Sequence, residues 1–109
     1  MCDKTVWDRQ ELLNRVGGDE ELVAEVLKDF LGSLSGIIER MDAFLEADDI
    51  DGLYHLSHKL KGTAANMSAE SIRKAASILQ SAAMEKKTAT LPDACKALSN
   101  EIGRFLKLR

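Results

Sequence analysis

A chain of 109 residues and 12.0 kDa is sized for one domain, and with 45% hydrophobic and 30% charged residues it is a globular sequence, not a disordered one. One proline and seven glycines supply too few turns for a β-sandwich, so the expected class is all-α. The net charge of −3 divides into −9 over residues 1–51 and +6 over residues 52–109, so the second half is the one to meet an anion; its basic residues are scattered among just two aromatics, Tyr54 and Phe105, which speaks against nucleic acid.

In chain order, the first predicted element is a short helix over residues 8–16, with Asp8 as its cap, Glu11 placed to reach back and Trp7 placed to staple against Leu12. Gly17-Gly18 stops it and Asp19 caps the next helix, whose first turn holds Glu20 and Glu21. The spacing of Val23, Val26, Leu27, Phe30, Leu34, Ile37, Met41, Phe44 and Leu45 predicts one long helix over 19–47, with Gly32 and Gly36 as candidate kinks. A third bundle segment, 49–67, is capped by Asp49 and buries Leu53, Leu56, Leu60, Thr63, Ala64 and Met67. Ser68 reads as the cap of a helix over 69–86 with the lean stripe Ile72, Ala75, Ala76, Leu79, Ala82 and Ala83. Residues 86–90 read as a loop, and Pro92 opens a helix over 92–107 that buries Leu91, Cys95, Leu98, Ile102, Phe105 and Leu106. Four long amphipathic helices with short connections pack most simply as an antiparallel up-down-up-down four-helix bundle, the short N-terminal helix lying across one end, so residues 1–109 form a single domain.

Cys2 and Cys95 are too few for a disulfide framework or a four-thiolate metal site, and Cys95, Met41, Met67 and Met84 read as core or its rim. No apolar run approaches the roughly 20 residues that cross a bilayer, and Met1-Cys2-Asp3-Lys4-Thr5 lacks the charged-then-apolar order of a signal peptide, so a cytoplasmic location is expected. Met1-Cys2 reads equally as a native start or a cloning junction, which leaves a free-standing protein and an excised domain, such as the cytosolic part of a membrane-bound sensor kinase, both open.

The chemistry concentrates on the third bundle helix. At about 100° per residue, with His58 as origin, Gly62 falls near 40°, Ala65 near −20°, Tyr54 near −40° and Lys61 near −60°, whereas the apolar stripe is centred near 180°. His58 is therefore expected to face solvent. Gly62 costs its helix about 1 kcal/mol relative to alanine, and one turn from His58 on the same face it clears an approach to the imidazole. Lys61 places an ammonium beside anything that His58 carries, and a phosphoryl group has the charge such a lysine compensates. Imidazole is itself a competent nucleophile near neutral pH. His55 and His58 at i,i+3 lack a nearby carboxylate or thiolate, a poor metal site.

The run His58-Lys59-Leu60-Lys61-Gly62-Thr63-Ala64-Ala65-Asn66-Met67-Ser68-Ala69 resembles the signature of the histidine-containing phosphotransfer (HPt) domain, and the Gly17-Gly18-Asp19 break and Phe30-Leu31 extend the resemblance across most of the chain. Ser68 departs from it, since the family often has glycine there. The resemblance implies a four-helix bundle that accepts a phosphoryl group on Nε2 of His58 from a receiver-domain aspartyl phosphate, or passes it to another receiver. It implies Lys61 as the residue that steadies the phosphoryl oxygens and Gly62 as the one that admits the partner. Mg²⁺ is expected on the partner receiver and no cofactor on this chain. Tyr54, His55, Lys59, Ala65 and Asn66 border the expected docking surface. The partners would be response-regulator receiver domains and a histidine kinase in the same or another chain, with the phosphotransfer protein itself a monomer. No glycine-rich nucleotide loop is present, so the domain is expected to relay phosphate without kinase activity of its own. Two other readings stay open: a helical interaction module in which His58 is incidental, and the dimeric phosphoacceptor hairpin of a histidine kinase, whose motif typically follows the histidine with an acidic residue where this chain has Lys59.

Overall fold

The structure, a computed structural model, describes residues 5–108; Cys2 and the other residues of the Met1-Cys2-Asp3-Lys4 start lie outside the described residues. It is all-α. Helices α1 (Arg9–Arg15), α2 (Glu20–Leu34), α3 (Ile37–Glu46), α4 (Ile50–Met67), α5 (Glu70–Met84) and α6 (Leu91–Leu108) follow one another, with a 3-10 turn at Thr88–Thr90 inside the expected loop.

The caps explain most of these boundaries. Carboxylates of Asp8, Asp19 and Asp49 accept from the backbone N–H of Glu11, Leu22 and Gly52 at 3.0, 3.1 and 2.9 Å, satisfying donors that the first turn of each helix leaves open. Gly17 and Gly18, with φ of +71° and +80°, turn the chain between α1 and α2 in a region that L side chains avoid.

The expected helix over 19–47 is instead two helices. Ser35 is extended and Gly36 left-handed, with φ of +78°, so the backbone leaves the helical path at one of the two glycines marked as kinks. A sequence periodic in apolar residues cannot register this break, because the inward stripe resumes in phase at Ile37. Ser68 also differs from expectation: it ends α4 in the left-handed conformation (φ +59°), and the residue that caps α5 is Ala69, without a side-chain bond.

Helix α4 lies at the centre, packed against α5, α3 and α2, while α6 closes on α5 and α3. Phe105 of α6 sits between Phe30 and Trp7, with ring centroids 5.1 and 5.4 Å away, so α6 meets the segment before α1 in the core. Ile72, Leu79, Leu98, Ile102 and Met41 are fully buried as expected. Leu106, at 37%, and Met84, at 61%, are corrections, since both stay exposed where their helices turn from the core. Burial and the charge of Asp42 raise the Cys95 thiol to about 11, as suits a packed core thiol.

The approach of α3 to α4 depends on a glycine. A Cβ at Gly52 would lie 2.6–2.8 Å from three ring atoms of Phe44. Gly52→Ala is expected to lower stability by about 1–3 kcal/mol through overpacking, although the same change in an open helix would raise it by about 1 kcal/mol. Urea denaturation measures the sign directly, and a more stable variant would contradict the packing.

Candidate functional site

His58 is exposed on the middle of α4 and its ring is held from two directions. The Gln80 amide Nε2 on α5 lies 3.1 Å from imidazole Nδ1, and the Tyr54 ring, one turn back, stacks parallel to the imidazole at 5.9 Å and 5°. His55 meets the same tyrosine edge-on at 5.3 Å. With Nδ1 engaged by Gln80, Nε2 is the imidazole nitrogen left for an incoming group.

Gln80 is 7% exposed, and its Oε1 is buried without a hydrogen-bond partner. As placed, the amide N–H donates to Nδ1 and the imidazole proton resides on Nε2. A half-turn of the amide fills the same volume and presents Oε1 to an Nδ1–H, which transfers the free electron pair to Nε2. Either orientation leaves one amide atom buried and unpaired, so the choice between them is made at the imidazole. Sequence reasoning missed Gln80. The available signal was a glutamine one position beyond the buried Leu79, a polar residue at the edge of an apolar stripe.

Gly62 lies exposed one turn beyond His58, and a Cβ there would have no neighbour within 4 Å. The two glycines of α4 thus differ in kind, as Gly52 is required by Phe44 whereas nothing inside the molecule requires Gly62. Lys61 is half-buried and makes no ion pair or hydrogen bond among the described residues, so its ammonium is uncommitted. Ala65 and Asn66 are exposed, and Asn66 borders an apolar cleft of about 210 Å³ between α2 and α4, walled by Val26, Phe30, Thr63 and Met67. Lys59 lines an adjoining groove with Arg40, Leu56 and Thr63, the last of which also walls the cleft beside Asn66. Among the described residues no three His, Cys, Asp or Glu side chains gather as metal ligands, so His55 and His58 have no third donor.

Deeper in the same helix, buried Ser57 donates to the Leu53 carbonyl at 2.8 Å, which satisfies its hydroxyl inside the helix. No described helix is long and apolar enough to cross a membrane.

Comparison with curated proteins and with solved structures finds no match. A family model does match, that of the Hpt domain, over residues 25–107, which takes in α3 to α5, most of α2 and α6, and the whole His58 region. Proteins of this family are helical bundles that carry phosphoryl groups on histidine in phosphorelays and are not kinases. With a solvent-facing histidine at the centre of its main helix hairpin and a family match across most of its length, this chain belongs to the Hpt domain family.

Proposed function

We propose that the protein accepts a phosphoryl group on Nε2 of His58 from the aspartyl phosphate of a response-regulator receiver domain and passes it to a further receiver. The observation that carries the reading is the imidazole itself: exposed, held at Nδ1 by Gln80, stacked on Tyr54, and facing a glycine whose missing side chain serves no internal contact.

The chemistry follows from that arrangement. With the Gln80 carbonyl accepting from Nδ1–H, the Nε2 electron pair attacks phosphorus. A P–N bond forms as the P–O bond to the aspartyl carboxylate breaks, and the carboxylate leaves with the electron pair. The imidazole keeps its Nδ1 proton, and Gln80 stabilises the positive charge on the ring. Lys61, uncommitted among the described residues, pairs with the phosphoryl oxygens, and the Mg²⁺ that assists the transfer is supplied by the receiver. Tyr54, His55, Ala65 and Asn66 form the rim on which the receiver sits, with Lys59 at its margin. In this reading α2 and α3 together make the first wall of an antiparallel four-helix bundle with α4, α5 and α6, and the domain works as a monomer on the cytoplasmic side of the membrane, supplied by a receiver or histidine kinase.

Incubation with a phosphorylated receiver and Mg²⁺ tests the proposal. Acid-labile, alkali-stable phosphate should appear on the folded chain. Failure with a panel of receivers would favour the helical interaction module in which His58 is incidental, and an obligate dimer in solution would favour the kinase hairpin.

A further inference from the structure

The segment ahead of the family match is tied closely to the α4–α5 turn. That turn is two residues long, Ser68 and Ala69, both buried, and Ser68 adopts φ +59° without being glycine. The Ser68 hydroxyl donates to Oε1 of Glu11 at 2.6 Å and accepts from the Arg15 guanidinium at 3.0 Å. Arg15 donates further to the Ala65 carbonyl at 3.2 Å, on the face that carries His58. Backbone bonds run from Asp8 N–H to the Ser68 carbonyl and from Ser71 N–H to the Thr5 carbonyl, at 3.0 and 2.8 Å, and the Trp7 indole donates to the Met67 carbonyl at 2.9 Å.

The turn, together with the packing of α5 on α4, sets the register of the site. His58 and Gln80 stand 11 residues on either side of Ala69, so they face each other because α4 and α5 leave the turn in step. A slip of one residue moves a side chain by about 1.5 Å along the helix and about 100° around it, enough to lose a contact of 3.1 Å. Asp48 and Lys86, after α3 and α5, share this left-handed conformation, and what sets Ser68 apart is that Glu11 and Arg15 grip its side chain.

We propose that Glu11, Arg15 and Ser68 are positioning residues for the phosphoacceptor: by pinning the α4–α5 turn they hold Gln80 against Nδ1 of His58. This rests on the proposed phosphotransfer for its kinetic readout, though not for its structural one. The α1 segment therefore belongs to the working domain although it precedes the matched region.

The test is a double-mutant cycle on the full chain. Ser68→Ala and the pair Glu11→Ala with Arg15→Ala each remove the side-chain grip. Ser68→Gly removes the hydroxyl while easing the left-handed turn, and so provides a folded variant should the alanine variant unfold. Each is combined with Gln80→Ala, and each is read by the transfer rate from a phosphorylated receiver and by the ¹⁵N shifts of the His58 ring, which report where the imidazole proton resides. The expected result is a transfer rate lower by about 5-fold, the scale of one hydrogen bond, with a shift in the ring nitrogens when Gln80 is present, and neither effect once Gln80 is alanine. Equal losses in both backgrounds, or unchanged ring shifts in a folded variant, would overturn the positioning role. A wild-type chain that takes no phosphoryl group but whose ring shifts still respond to the grip would sink the phosphotransfer reading and leave the positioning role standing.

Discussion

His58→Gln is expected to abolish acid-labile phosphate on the protein while leaving its circular dichroism and melting temperature near those of the wild type. The side chain is exposed and contributes no apolar packing to the core, and surface changes of this kind usually stay within about 0.5 kcal/mol. Glutamine keeps a polar group within reach of Gln80 and so avoids adding an unmet buried donor, but it has no nucleophilic nitrogen. Label retained on the variant would place the acceptor elsewhere, and His55, three residues away and exposed, would be the next residue to change. Loss of label accompanied by loss of fold would instead mean that the imidazole holds α4 to α5, contrary to its exposure.

Gly62→Gln separates access from stability. No described residue lies within 4 Å of a Cβ at that position, so the variant should be more stable by roughly 0.5–1 kcal/mol, the cost of glycine in an exposed helix. Transfer should nevertheless slow by about 100-fold, because the new side chain stands one turn from the imidazole on its open face, and displacing the reacting groups by an ångström carries a penalty of that order. A melting temperature that rises while the transfer rate falls is the signature to look for. If transfer kept its wild-type rate, the clearing around His58 would have no part in partner approach.

The helical class, the central segment and the outward direction of His58 were legible because they rest on local periodicity, which α4 obeys from Leu53 to Met67. Gly62 was legible as an unexplained helix glycine beside a histidine. Gly52, on the same helix, passed unremarked, since its reason is the Phe44 ring across the interface and no spacing along one helix reveals what packs against it. Gln80 was hidden for the same cause: its meaning depends on which residue of α4 it faces, and that is decided by a two-residue turn. The break at Ser35-Gly36 was visible as a candidate kink yet not as two helices, because the apolar phase survives it. Ser68 looked like a helix cap, and its hydroxyl is instead spent on Glu11 and Arg15, more than fifty residues back.

The meeting of Trp7 with Phe105, 98 residues away, bears on how the molecule assembles. His58 and Gln80 lie within one α4–α5 hairpin, 22 residues apart, so their contact can form early from residues close in sequence. Seating of residues 5–15 closes the longest loops among the described residues and pays their entropy last. The segment is anchored in the core through Val6, Trp7 and Leu12, so its release exposes apolar surface to water. The single indole of the protein lies in this segment and is buried, so its fluorescence records the seating of the segment, whereas circular dichroism records the melting of the helices that hold His58.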